Sequence, residues 1–238
     1  MGNKIHPIAL RLGISKDWLS RWYPHREKYR FQLEEDLLIR KIIEEKIAPA
    51  GIVRIEIERT TNGGFKIFIK AARPGLVIGR GGKGIEDLNK AIELKLQKLF
   101  RERGQKNPKK VPLSLNVDEL KRTEISAQYI AQSIAWDLEK RLPFRRTIKK
   151  ALEGALQNRG VLGAKIKLSG RLDGGEIARR EWLANGTLSL QTLRGDVDYG
   201  IATAFCNYGT TGVKVWLYKG EVFKQANNKE QSAKRENR

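Results

Sequence analysis

Cysteine is nearly absent. Cys206 stands alone among 238 residues, so no internal disulfide can form, a usage that suits a reducing compartment. Its neighbours Phe205, Asn207 and Tyr208 offer no base to activate a thiol, and the side chain is expected to pack in a core. His6 and His25 are the only histidines. Neither has a partner at metal-ligand spacing, which argues against a zinc site. No apolar run approaches the roughly 20 residues of a membrane-spanning helix. The start, Met1 to His6, has no signal-peptide core and puts His6 where a myristoylation signal needs Ser or Thr. These absences predict a soluble, cytoplasmic protein with no metal, no cofactor and no membrane partner. Acidic residues are short as well: 27 against 47 Lys and Arg, a formal net charge of +20. An excess of that size raises the self-repulsion of a compact chain and implies a polyanionic partner.

What is present is organised. Residues 1–30 are basic and aromatic, with Trp18, Trp22 and Tyr23 close together, and read as an N-terminal arm. From Leu33 to Ile47 the apolar positions Leu37, Leu38, Ile42, Ile43 and Ile47 keep helical spacing. Glu34, Glu35 and Asp36 then fall at the start of that helix, where its dipole favours negative charge. Pro49 and Gly51 end it. Alternation predicts two strands, over Val53–Ile57 and Phe65–Ile69, joined as a hairpin through Thr61-Asn62-Gly63-Gly64. A short turn at Leu76–Ile78, a long helix carrying Ile85, Leu88, Ile92, Leu96 and Leu99, a basic loop (101–110) and a strand with Leu113, Leu115 and Val117 on one face complete a unit over 31–120.

A second unit over 121–223, opening near Thr123, begins with two helices separated by Pro143. Strand patterns follow at Ile166/Leu168, at Leu188/Leu190, around Val197 and at Val213–Leu217. Two helices on an antiparallel sheet is the economical arrangement. The charged tail, 224–238, has almost no apolar residue and predicts disorder. The fold class is therefore α/β (α+β) with two domains.

Two basic features carry the functional signal. Between Gly79 and Gly84 four glycines fall in six positions, with Arg80 and Lys83 between them. Backbone without Cβ can approach a polyanion closely, and the cations supply the attraction. Gly79, Gly81 and Gly84 formally satisfy the dinucleotide fingerprint, but Pro74-Gly75 cuts the preceding strand off from the loop, and no βαβ unit surrounds it. A Walker loop fails because Lys83 is followed by Gly84 in place of Ser or Thr. The shorter pattern Gly79-Arg80-Gly81-Gly82, a G-x-x-G loop between two helices, resembles a KH domain, and the element order resembles its type II form. The second feature is Phe144-Arg145-Arg146-Thr147-Ile148-Lys149-Lys150. Arg145 and Lys149 lie four apart, as do Arg146 and Lys150, so on a helix all four share one face, opposite Ile148, Leu152 and Ala155. Such a ridge reads backbone charge, not base sequence. Arg171, Arg179 and Arg180 form a third cluster, in which Glu176 and Glu181 are expected to make ion pairs. Trp182 and Trp216 are expected as core anchors, with base-stacking platforms as the other reading.

Taken in order, Lys4-x-His6-Pro7 with Arg11-Leu12-Gly13, Ala72-Arg73-Pro74-Gly75 with Val77-Ile78-Gly79, Phe144-Arg145-Arg146 with Lys149, Ser169-Gly170-Arg171-Leu172, Glu176-Ile177-Ala178-Arg179, Thr192-Leu193-Arg194, Asp198-Tyr199 and Gly212-Val213-Lys214-Val215-Trp216 resemble a known family. It is the family of the third protein of the bacterial small ribosomal subunit, and the likeness runs from Gly2 to Val222. The resemblance implies a type II KH domain followed by a domain of two helices packed on an antiparallel sheet. It implies binding of small-subunit rRNA in the head, proximity to small-subunit proteins ten and fourteen, and a place lining the channel through which mRNA enters. RNA contacts would fall on the loop Gly79, Arg80, Gly81, Gly82 and Lys83. Arg145, Arg146, Lys149 and Lys150 would face mRNA. Further rRNA contacts would come from Lys4, His6, Arg11, Arg171, Arg179 and Arg180. In one departure, Gly81 stands where the family often carries a second cation. The alternative from another class is a KH-bearing RNA-processing factor or GTPase-type enzyme. It would need a separate catalytic module.

Overall fold

The computed structural model describes residues 4–24, 26–60, 64–103, 112–121 and 124–222. The expected turn at Thr61–Gly63, most of the basic loop, the boundary at Thr123 and the tail 224–238 lie outside them.

The first domain is a mixed sheet under two long helices. Its strands are β1 (Ser20–Arg21), β2 (Ile52–Arg59), β3 (Phe65–Ala71) and β4 (Leu113–Glu119), lying in that spatial order. β2 and β3 pair antiparallel, as the alternation predicts, while β1 joins β2, and β4 joins β3, in parallel. Helices α2 (Arg26–Ile47) and α4 (Lys83–Glu102) cover one face. Ile39, Ile42, Ile43 and Ile47 from α2 and Leu88, Ile92 and Leu96 from α4 meet Ile55, Ile57, Phe65, Ile67 and Ile69 of the sheet, all buried. Burying each such side chain contributes about 1.5–3 kcal/mol. Helix α2 ends at Ile47, and the chain turns through Pro49 to Gly51, which takes a left-handed φ of 69°.

Helix α2 begins at Arg26, well before Leu33, and this corrects the role expected of its acidic residues. Glu34, Glu35 and Asp36 sit far from the helix start, and Glu35 and Asp36 are buried. They anchor an ionic cluster. Arg59 bonds Glu35 at 2.8 Å and Asp36 at 2.7 Å, and Arg103 bonds Glu35 at 2.6 Å and Glu34 at 2.8 Å. Trp22 Nε1 and Ser20 Oγ donate to the free oxygen of Asp36. Strand β1 is thereby tied to α2.

In the second domain α5 (Ala127–Glu139) and α6 (Phe144–Leu156) cover one face of a four-stranded antiparallel sheet. Its strands are β5 (Gly163–Gly170), β6 (Arg179–Gly186), β7 (Gly195–Cys206) and β8 (Gly209–Glu221), in the order β6-β5-β8-β7. Ile134, Phe144, Ile148, Leu152, Ile166, Leu168, Val213, Val215 and Leu217 form the core. Cys206 packs against it, half-buried, with its thiol donating to Leu138 O. The strand expected at Leu188/Leu190 is not formed. The edge strand runs earlier, at β6, and the segment 187–194 is irregular. Trp182, expected as a core anchor, is 60% exposed on that edge.

The segment expected as an arm is shared between the domains. A single helical turn, α1 (Pro7–Leu10), lies against β7, and β1 extends the first sheet.

Candidate nucleic-acid interface

The glycine loop is a helix–loop–helix corner. A short helix, α3 (Pro74–Ile78), is anchored by buried Val77, and its Leu76 and Ile78 face outward. The chain then passes through Gly79 and one tight turn, Arg80–Gly82, into α4. Two kinds of constraint require glycine here. A Cβ on Gly84 would meet Val77 O at 2.5 Å, so this residue permits the close approach of the two helices. Gly81 and Gly82, in contrast, border open space but have φ of 62° and 80°, a region side chains rarely enter. Gly82 caps α4 without any side-chain acceptor. Lys83, the first residue of α4, donates its N–H to Arg80 O, and Gly82 offers no side chain to cap the N–H groups that follow, at the end where the helix dipole is positive. Arg80 and Lys83 are exposed on either side. The helix dipole and the two exposed cations give this corner a positive character that suits an anion.

The basic helix is α6. Phe144, Thr147, Ile148, Leu152 and Ala155 are buried, while Arg145, Arg146, Lys149 and Lys150 are exposed together. Pro143 precedes the helix, and Thr147 Oγ donates back to its carbonyl at 3.1 Å. Two acids temper the ridge: Glu153 lies 4.0 Å from Lys149, and Glu181 of β6 lies 3.5 Å from Arg145. Arg145, Lys149 and Glu153 are largely exposed and Glu181 partly so, so each pair is worth about 0–1 kcal/mol and yields easily to phosphate.

The third cluster is split by the sheet. Arg179 pairs with Glu181 at 3.6 Å and lies over Phe144, so it extends the α6 ridge. Arg180, its neighbour, occupies the opposite face, in register with Ser169. Arg171 is fixed separately, donating to Gly175 O at 2.9 Å beside Tyr208. Lys4 and His6 are exposed. The His6 Nδ1 accepts from Ala9 N, and its ring meets Tyr199 edge-on at 4.8 Å.

Arg11 is a correction. Expected as an rRNA contact, it is fully buried, and its guanidinium donates to Gly195 O, Pro7 O, Leu190 O and Thr192 O at 2.6–3.0 Å. Burial pulls its pKa below the ordinary arginine value, against the raising influence of Asp196 and Tyr218. Its fork satisfies the carbonyls of an irregular segment that no strand pairs. It is a staple between the first residues and the second domain. Residues that sequence patterning left unassigned include Lys165, Lys167 and Lys214 on the outer face of the second sheet. The signal was the lysine alternation within β5, legible only once the other face proved to be the core.

A KH-type unit whose G-x-x-G corner faces solvent, followed by two helices on an antiparallel sheet, defines a two-domain α/β protein of the KH class. The KH domain family model matches residues 38–125, and that of Ribosomal protein S3, C-terminal domain, matches residues 134–217. Curated relatives named small ribosomal subunit protein uS3 extend the likeness to nearly the whole chain. The one from Carboxydothermus hydrogenoformans is 47% identical over 222 residues, covering 93% of each chain. That from Alkaliphilus oremlandii is 45% identical over 93% of this chain and 87% of its own. That from Xanthomonas euvesicatoria pv. vesicatoria is 44% identical over 94% and 85%. The chain belongs to the ribosomal protein S3 family of the small ribosomal subunit. Among the described residues, no helix is long and apolar enough to cross a membrane.

Proposed function

We propose that this chain is a structural RNA-binding constituent of the small ribosomal subunit, working in the cytoplasm within the ribosome. It holds small-subunit rRNA in the head through the corner at Gly79–Lys83. It lies near proteins ten and fourteen, and it presents α6 to mRNA entering the channel. No covalent chemistry is involved: the cations act by binding phosphate. The α6 surface carries this reading. Four cations in two i,i+4 pairs stand exposed on one face, while the opposite face is locked into the core. A rigid helix of this kind can grip a moving strand without closing on it. Each phosphate neutralised on a single strand contributes about 0.7 to the log–log salt slope. Contacts of this kind are individually weak and exchange readily.

The test replaces Arg145, Arg146 and Lys149 together with Ala and follows ribosomes carrying the variant. Assembly should remain near normal, because none of the three side chains is buried. Elongation through a stable mRNA hairpin should slow severalfold, while elongation on unstructured mRNA is unchanged. Equal rates through the hairpin would overturn the mRNA assignment.

A further inference from the structure

The helices α5 and α6 cover only one face of the second sheet, and the opposite face has a composition of its own. Its centre is fixed by the strand register. Lys167 stands opposite Trp182 of β6 on one side and Lys214 of β8 on the other. One row along, Lys165 stands opposite Trp216, which in turn faces Tyr199 of β7. One row the other way, Arg180 faces Ser169. Across these three rows and four strands no position on this face holds an Asp or Glu. Four cations therefore sit within a few strand spacings, at about 4.8 Å between strands and about 7 Å between same-face neighbours along one. Lys167, Lys214 and Arg180 take part in none of the ion pairs found among the described residues.

The aromatic groups suit the same ligand. Trp182 is 60% exposed, with the Lys165 ammonium 4.5 Å from its ring centre. An indole with a cation over its ring and most of its surface exposed suits base stacking. Ser169, Ala184 and Gly212 keep the surrounding surface low, so a planar base can lie against it. The arm closes one end: His6 lies against Tyr199, next to Trp216. The field there is positive, for Lys214 helps to hold His6 below its ordinary pKa, after the larger effect of burial.

We propose that this outer sheet face is a further RNA-binding surface, which takes an unpaired RNA segment by stacking a base on Trp182 and holding its phosphates with Lys167, Lys214 and Arg180. It is separate from the G-x-x-G corner and lies across the sheet from the α6 ridge. An acid-free cluster of unpaired cations favours a polyanion over a protein neighbour, and the exposed indole favours single strand over duplex, whose bases are already stacked. The proposal rests on the RNA-binding function given above.

The test uses the full chain and two labelled probes, a short unstructured oligouridylate and an RNA duplex, with affinities measured across a salt series. Converting Lys167, Lys214 and Arg180 together to Gln should lower the salt slope for the single strand by about 2, at roughly 0.7 per contact. Trp182→Ala should weaken the single strand about tenfold and leave the duplex within about twofold. Unchanged single-strand affinity and slope in the Gln variant, with binding still lost on replacing Arg145, Arg146 and Lys149, would overturn this surface and assign it to a protein neighbour or to solvent. The broader RNA-binding function would then stand. Equal losses on both probes in Trp182→Ala would overturn the stacking. A wild-type chain that binds neither probe would sink both proposals.

Discussion

Replacing Asp36 with Ala removes the acceptor at the centre of the ionic cluster in the first domain. The carboxylate is 2% exposed and receives three donors: Arg59 Nη2 at 2.7 Å, Trp22 Nε1 at 2.7 Å and Ser20 Oγ at 2.9 Å. Breaking a buried ion pair from one side costs about 3–5 kcal/mol when the remaining charge is stranded. Arg59 is not stranded, because it keeps Glu35 at 2.8 Å and the Gln32 carbonyl at 2.6 Å. Trp22, half-buried, can turn its N–H to water. The loss should therefore fall at the low end, about 3 kcal/mol. For a chain of this size that corresponds to a fall of roughly 6–12 °C in the unfolding midpoint. Calorimetry and urea titration on the intact chain would measure it. Hydrogen exchange adds a local readout, since the Ile57 amide, which donates to Leu19 O beside β1, should lose protection first. A double-mutant cycle with Arg59→Met should give a coupling of about 2 kcal/mol. A cost under about 1 kcal/mol, or no coupling, would refute the claim that these acids hold the domain together from inside the helix.

Arg11→Ala leaves the carbonyls of Leu190, Thr192 and Gly195 without their shared donor, which should cost about 3 kcal/mol and open residues 187–194 to protease. Arg11→Lys should recover only a fraction, because an ammonium cannot reproduce the fork; full recovery would contradict the staple. His6 should titrate below its ordinary 6.5, through burial first and Lys214 second. With the folded value depressed, the docking of α1 is fully supported above pH 6.5 and weakens as pH falls through that folded value. Proton NMR of the imidazole should show the low midpoint, and Lys214→Gln should raise it part of the way. A midpoint at or above 6.5 in the wild type would count against the packing described.

The parts of this fold legible in sequence are those where one physical pattern acts alone. Leu88, Ile92, Leu96 and Leu99 keep a clean helical stripe, and Gly79–Gly84 between aliphatic turns marks a corner. The α6 ridge needed only four-residue spacing, and its cations stand where that spacing puts them. Legibility failed where a segment answers to partners remote in sequence. Strand β6 is exposed along nearly its whole length, so Arg179–Gly186 carries no alternation to betray it. Leu188 and Leu190 alternate as a strand would, yet their segment gives its carbonyls to Arg11, some 180 residues away. Glu34 to Asp36 resemble helix-start charge because the front of α2, from Arg26, is too polar to look helical. Their true partners, Arg59 and Arg103, are set by how α2 lies over the sheet.

The Arg11 staple also orders events in time. Residues 6–11 are made well before the carbonyls and the β7 surface they need, which lie between Leu190 and Tyr199. The intervening chain of about 180 residues takes roughly 10–40 s to synthesise. Throughout that interval the first domain can close, with β1 already in place, while α1 and Arg11 have nothing to hold. Residues 6–11 are therefore seated late, once the second domain has supplied the carbonyls that Arg11 holds.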